Sequence, residues 1–338
     1  MIPLSVAIHP MQIYKKNILC GVHDHLFFES GIASVREQFV HVKVIDRSYI
    51  VCRASFNTVI LKTEFCPAIK SVYLYTMKKL VIAGCGFLAD IVADALINGL
   101  LPDYDLVGVY SRTAEKADRL ANKMEQHGNG CKATTSMEEL LALKPDFLVE
   151  AASPAAMKEL ALPALRNGTS VVTLSIGAFA DTAFYHEVRE TAAAHGSRVY
   201  IASGATGGFD VLRTATLMGN ATASFFNEKG VAALRQSPLY TPDMERENKV
   251  VFSGTAREAI ETFPTGLNVA VAASLATVGP EQLQVTMEST PDFRGDRQRV
   301  EVRNEQVHAV VDVFSATSAI AAWSVVSTLR NIASPIVF

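Results

Sequence analysis

The chain has 338 residues, 49% apolar and 19% charged, which is enough for two folded domains and excludes a disordered or fibrous class. A formal net charge of −3 gives no basic footprint for nucleic acid or an anionic membrane. Apolar runs such as 318–326 are too short and interrupted to span a bilayer, no signal peptide is legible, and five irregularly spaced cysteines give no disulfide framework, so a cytoplasmic setting is expected.

Before Met77 the sequence is poor in Ala and has no sustained helical or alternating period. Cys20, His23 and His25 form a C-x-x-H-x-H cluster, but no fourth ligand stands at a convincing spacing and no metal site is expected. Residues 1–76 are read as an extension of doubtful structure, one explanation being a start codon placed too early.

From Lys78 the pattern becomes strand, glycine turn, helix, strand. LVIAG, residues 80–84, is a continuous apolar run, as expected of a strand buried on both faces. It enters GCGFLA, a G-x-G-x-x-A turn opening a helix that closes at Gly99. Gly84 would allow the tight turn and Gly86 the close approach of a pyrophosphate, which Cys85, Phe87 and Leu88 would flank at the helix N-terminus. Cys85 needs only to be small there; without a partner cysteine no redox role is expected. The second strand, DLVGVY, ends in Ser111 and Arg112, where an NAD-selective fold would usually carry an acid. A hydroxyl and a guanidinium suit a 2′-phosphate, so NADP is expected, with NAD left open.

The same rhythm continues. Ser136 and Glu139 form a candidate capping box. The strands FLVEAAS, SVVTLS and VYIAS follow, separated by helices. Alternating strands and helices predict an α/β fold, a Rossmann-type doubly wound parallel sheet whose ligand crevice lies beyond the strand C-termini. Three strands end there in small or hydroxyl residues: Ala152 and Ser153, Ser175, and the run SGATGGFD from Ser203. Beyond Asp210 short alternating strands predict a smaller α+β substrate domain with a mostly antiparallel sheet. The expected division is 77–205 for the dinucleotide domain, with the final helix 317–331 packing back on it, and 206–316 for substrate binding and dimerisation. His127, His186 and His195 read as solvated, His308 as a sheet-face residue, and Trp323 as core or interface.

These motifs carry a resemblance. GCG at 84–86, EAAS at 150–153, SIGAF at 175–179, SGATGGFD at 203–210, FSGTAREAIETFP at 252–264, NVA at 268–270 and ATSAIAAWS at 316–324 resemble, in this order, the L-aspartate dehydrogenase family. The first 76 residues lie outside it. The resemblance implies an NAD- or NADP-dependent enzyme that converts L-aspartate to iminosuccinate, the reverse reaction making aspartate from oxaloacetate and ammonia. The imine feeds NAD biosynthesis in many bacteria, and members are commonly homodimers. It also implies that Ala205 and Asn268 contact the cofactor. An Asn amide can orient a carboxamide or ribose, although Asn268 could equally cap the NVAVAAS helix. Ser203, Thr206, Gly207 and Arg297 are the candidate substrate contacts.

The family's catalytic segment reads D-P, four residues, N-x-H. Here Thr290-Pro291 begins the match, Asp296 stands for the Asn and Gln298 for the His. Removing a proton from an amine is work for an ionisable group, and glutamine cannot ionise. Three accounts stay open. Asp296 is the base with Arg294, Arg297 or Arg299 offsetting its charge; or the cavity takes a different amino or oxo acid; or the chain binds a dinucleotide without turnover. Another type of Rossmann oxidoreductase would normally offer a catalytic Lys in the second domain. Lys229 and Lys249, the only lysines after Ala205, stand in no recognisable catalytic context.

Overall fold

The structure is a computed structural model that describes residues 77–338, apart from 236, 238 and 264–266, together with the backbone of strands between Ile2 and Thr76. The chain divides into two compact units, Met1–Lys78 with Pro102–Asp105, and Lys79–Leu101 with Leu106–Phe338. In the first unit the described strands pair in one seven-stranded sheet. The side chains of Cys20, His23 and His25 lie outside the described residues.

The second unit holds the alternation of strands and helices foreseen from the periodicity, with further elements at 114–126, 132–134 and 209–217 that the sequence reading did not place. They begin β1 (Lys78–Ala83), α1 (Phe87–Ile97), β2 (Tyr104–Tyr110), α2 (Ala114–Gln126), β3 (Lys132–Thr134) and α3 (Met137–Leu141). Then come β4 (Phe147–Glu150), α4 (Pro154–Arg166), β5 (Ser170–Thr173), α5 (Thr182–Ala194) and β6 (Val199–Ile201). The strand order is β3-β2-β1-β4-β5-β6, with parallel pairing. This is the doubly wound order of a Rossmann fold, and its direction reverses between β1 and β4, where ligands bind. Leu80, Val81, Ile82 and Ala83 are fully buried, which explains why β1 reads as an unbroken apolar run.

One expected cap is only half made. The Ser136 side chain accepts from the Glu139 N–H, but Glu139 turns its carboxylate to Thr134 and Lys132 instead of back to Ser136. Thr134 takes the Ser136 N–H in its place, so the neighbouring strand outcompetes the reciprocal bond.

The remainder comprises α6 (Phe209–Leu217), β7 (Thr222–Gly230), β8 (Lys249–Thr255), α7 (Ala256–Thr262), α8 (Asn268–Ala276), β9 (Gln284–Thr290), β10 (Asp296–Arg303), β11 (His308–Ser315) and α9 (Ala319–Ala333). The five strands order as β8-β9-β7-β10-β11, antiparallel except for β7 and β9. One face buries Phe225, Val285 and Val300 against Leu212 of α6 and Ala270 and Ala273 of α8. The opposite face of β10 and β11 carries Arg297, Arg299, Glu301 and Asp312 in mutual ion pairs. α9 lies against α1 and β5. Trp323 on α9 is 47% exposed, so it is no part of the core.

Candidate active site

The glycine turn is built for close approach. Gly84 has φ +97°, and a Cβ there would stand 2.6 Å from the Ala151 carbonyl oxygen and 2.9 Å from the Ala152 Cα. Gly86, the N-cap of α1, has ordinary φ and nothing within 4 Å of the place a Cβ would take. No side chain caps α1, so its first N–H groups, at Phe87 and Leu88, face exposed space. An uncapped helix N-terminus over an open glycine fits a dinucleotide pyrophosphate. Sequence reasoning missed the brace behind it. Arg119 of α2 makes two 2.8 Å bonds to Asp90 in the first turn of α1 and donates to the Cys85 carbonyl at 3.1 Å. Cys85 is buried and donates to the Tyr110 carbonyl, and burial pushes its thiol up to about 11, which keeps it protonated and unreactive.

At the end of β2, Ser111 is buried and its hydroxyl accepts from the Thr113 N–H at 3.1 Å. Arg112 is exposed and has no ion pair among the described residues. Arg112 therefore remains available at the edge where a ribose or its phosphate would lie, while Ser111 is engaged beneath it.

Sequence reasoning also passed over Glu150, the last residue of β4. It is fully buried, and its carboxylate receives five donors. Oε1 accepts from the N–H groups of Ala152 and Ser153 and from the Ser175 hydroxyl; Oε2 accepts from the Thr173 hydroxyl and the Ser175 N–H, at 2.7–3.1 Å. A buried carboxylate is tolerable only when its lone pairs are satisfied, and here they tie the end of β4 to the end of β5. Ser153 and Ser175 thus spend hydrogen bonds on scaffold: Ser153 also caps α4 through the Ala156 N–H. The exposed Ala152 backbone is what this pair of strand ends presents.

Asn268 is the first residue of α8, after the N-cap Leu267, so it does not cap the helix. Its Oδ1 accepts from the Gly177 N–H at 2.8 Å, which fixes the amide and leaves its NH₂ to a ligand. Gly204 donates its N–H to the Ser324 hydroxyl of α9, which pins the SGATGG run.

These elements meet the second sheet at a cavity of about 250 Å³. Leu88, Leu174, Ile176, Gly204, Ala205, Asn268 and Ala321 form one side; Phe225, Asn227, Lys229, Asp296 and Gln298 form the other. Alternation along β10 turns Asp296, Gln298 and Val300 to one face. Asn227 pairs with Gln298 across the strands, and Lys229 with Asp296. Asn227 is 2% exposed and donates to Asp296 Oδ1 at 2.6 Å; Gln298 is 3% exposed and donates to Asp296 Oδ2 at 2.6 Å. Gln298 Oε1 and Thr206 Oγ1 are buried polar atoms with no partner. Such atoms are uncommon and mark a place for a donor or acceptor to be supplied.

The arginine expectation is not met. Arg297 lies on the opposite face of β10, paired with Asp312 and near Glu228, and this pairing holds its guanidinium well above the usual range. Arg299 pairs with Glu301, and Arg294 is exposed. An odd-numbered step along a strand reverses the face, so no residue next to Asp296 or Gln298 in sequence can share their side. The cation at the cavity is Lys229, contrary to its reading from sequence. Inward alternation through Ala223, Phe225, Asn227 and Lys229 was the available signal. Ser203, Thr206 and Gly207 lie in the strand-end run beside Gly204 and Ala205 but do not line the cavity. His308 bonds Glu301 on the outer face, as its alternation implied. Among the described residues no cluster of potential metal ligands occurs and no helix is long and apolar enough to cross a membrane.

A parallel sheet of Rossmann order, an open glycine turn and a largely apolar cavity at the strand ends that carries Asp296 and Lys229 define a dinucleotide-dependent oxidoreductase. Comparison with known proteins agrees. Residues 84–202 match the family model of the homoserine dehydrogenase NAD binding domain, and residues 210–332 match that of the aspartate dehydrogenase C-terminal domain. An L-aspartate dehydrogenase of Methanococcus maripaludis strain C7 is 30% identical over 271 residues, 77% of this chain and 98% of the relative. L-aspartate dehydrogenase 2 of Bordetella bronchiseptica is 31% identical over 263 residues, 75% of this chain and 96% of the relative. The crystal structure of aspartate dehydrogenase from Thermotoga maritima shares the fold, with TM-score 0.60, 24% identity, and coverage of 77% of this chain and 99% of that one. The chain belongs to the L-aspartate dehydrogenase family.

Proposed function

We propose that the chain catalyses NAD(P)-dependent interconversion of L-aspartate with iminosuccinate, and so with oxaloacetate and ammonia. The observation that carries this reading is the cavity shared by Leu88, Leu174 and Ala205 with Asp296, Gln298 and Lys229. It joins the nucleotide half of the fold to the only ionisable groups among its lining residues.

Gly84, Gly86 and the backbone at Cys85, Phe87 and Leu88 would hold the pyrophosphate. Ser111 and Arg112 would take the adenosine ribose, with NADP the better match. Ala152, Ala205 and Asn268 would meet the nicotinamide half, on strand ends that Ser153 and Ser175 tie together through Glu150. Bound there, the nicotinamide supplies the hydride acceptor for the substrate α-carbon.

In this reading Asp296 accepts the proton from the substrate amine. Each of its oxygens receives one amide N–H and keeps further lone pairs for that purpose. Gln298, which cannot ionise, orients Asp296 through Nε2 and accepts an amine N–H at its unpartnered Oε1. The other expected substrate contacts, Ser203, Thr206 and Gly207, do not line this cavity, so the substrate is left to its lining residues. Leu88, Ile176, Leu267 and Val269 line the cavity with apolar surface and limit water there.

The test is oxidation of L-aspartate, and amination of oxaloacetate, by the full chain with NAD and with NADP beside a panel of other amino acids. Turnover with aspartate supports the reading. The anionic Asp296 in the cavity favours one second reading, a neutral or cationic amino acid as substrate, and turnover only on such a compound would establish it. Cofactor binding without turnover on any substrate would mark a dinucleotide-binding protein without catalysis. The reading includes a cytoplasmic homodimer, paired through the outer face of the five-stranded sheet where Val310 and Phe314 are exposed. Sedimentation velocity tests the dimer.

A further inference from the structure

We infer that Lys229 is the carboxylate-binding cation of the substrate cavity. The inference rests on the amino-acid reading above and names the part of the substrate that Asp296 and Gln298 leave unaddressed.

β7 ends in an inward row of Ala223, Phe225, Asn227 and Lys229, three of them buried. Its last inward position therefore reaches the rim of the buried face, and Lys229 lines the cavity there. Across the strands it stands in register with Asp296 on β10 and with Ser289 on β9. Cross-strand neighbours lie only ~5 Å apart at their Cβ atoms, so the two side chains can address two groups on one small molecule.

The charges around Lys229 are already engaged. Asp296 is held by Asn227 and Gln298. Glu228, next to Lys229 in sequence, faces the other side, where it accepts from Thr290 and lies near Arg297. The other lysine of the domain, Lys249, pairs with Asp243. The Lys229 ammonium itself has no hydrogen-bond or ion-pair partner among the described residues. A cation at a partly apolar cavity without a direct ion pair is left incompletely compensated, because the carboxylate of Asp296 is held by two amides, and a ligand carboxylate completes it. An ammonium is a compact point charge with three donors, so it can serve one carboxylate or bridge two.

The cavity then presents one fixed anion and one free cation. An α-amino acid is complementary to both: its ammonium goes to Asp296 and Gln298, and its carboxylate to Lys229. A dicarboxylate adds a second negative group near Asp296. Lys229 is the charge at the cavity that offsets it, the role the neighbouring arginines cannot fill from the far face.

The experiment is calorimetric titration of the full chain, saturated with NADPH, with succinate as a non-reacting dicarboxylate probe. Wild type, K229M and K229R are compared, together with their KM values for L-aspartate. Loss of one charge-assisted contact is expected to weaken succinate binding and raise KM by about 10- to 100-fold in K229M. K229R should recover part of the loss, and NADPH affinity and thermal midpoint should match wild type in both. Equal succinate affinity in wild type and K229M, or no succinate binding by wild type, overturns the inference. A wild type that binds succinate through Lys229 yet turns over no amino acid would sink the dehydrogenase reading and leave the role of Lys229 standing.

Discussion

Gln298 donates its side-chain N–H to Asp296 across 2.6 Å, from two residues along the same face of one strand. The position that holds the histidine in the family motif is thus occupied by a group that serves the neighbouring carboxylate instead of titrating. Asn227, on the adjoining strand, grips the other oxygen of Asp296. Two nearly buried amides fix one carboxylate at the cavity, and in the proposed mechanism the proton chemistry falls to it.

Restoring the family residue should therefore add a second ionisable group. Gln298→His is expected to raise kcat for aspartate-dependent reduction of NADP near neutral pH, where an imidazole can take a proton. An unchanged rate in steady-state assays would place the base elsewhere.

Glu150 ties together the ends of β4 and β5, the floor of the proposed cofactor site. In Glu150→Gln one oxygen becomes an NH₂, and either orientation sets it against a backbone N–H, of Ala152 and Ser153 or of Ser175. A buried donor left facing a donor costs about 1–3 kcal/mol. The variant should melt earlier and bind NADPH more weakly, while KM for the amino acid at saturating cofactor moves little. Thermal denaturation and NADPH fluorescence titration measure both; wild-type values in each would remove Glu150 from the account.

The two glycines of the turn should separate fold from ligand. Gly84→Ala meets the Ala151 and Ala152 backbone and a φ of +97°, and the left-handed conformation alone costs about 1–2 kcal/mol. Gly86→Ala meets no protein atom within 4 Å. The first variant is expected to lose stability; the second should keep its thermal midpoint and lose NADPH affinity. Full affinity in Gly86→Ala would mean that the pyrophosphate does not pass over this residue.

Arg112 is exposed and uncommitted, as a group awaiting a phosphate would be. Arg112→Ala should raise the Kd for NADPH by about 10-fold or more and leave that for NADH nearly unchanged. Equal losses in parallel titrations would dissociate Arg112 from cofactor choice.

The nucleotide half was legible because each of its devices is local. The apolar run of β1 leads directly into the two glycines and α1, and a parallel sheet leaves few ways to arrange such units. Asp296 and Gln298 were singled out from the family motif but read as preceding the strand; both lie within β10, which is what puts them on one face. The partners were not. Asn227 and Arg119 bond their targets across 69 and 29 residues of sequence, Lys229 stands in register with Asp296 from the neighbouring strand, and no spacing rule connects them. Arg297 failed for the opposite reason: adjacency to Asp296 in sequence is separation by a sheet in space. Glu150 offered a signal, a charge ending a buried apolar strand, whose meaning depends on five donors from two strand ends.

The most direct test of the account is the kcat of Asp296→Asn for NADPH oxidation with oxaloacetate and ammonia, at saturating substrates. The substitution keeps the size of the side chain and removes its capacity to hold the proton. The account predicts a fall of about 10²–10⁴ in kcat, with NADPH affinity unchanged. A kcat close to that of wild type would contradict it, because the carboxylate held by Asn227 and Gln298 would then not be the group that moves the proton.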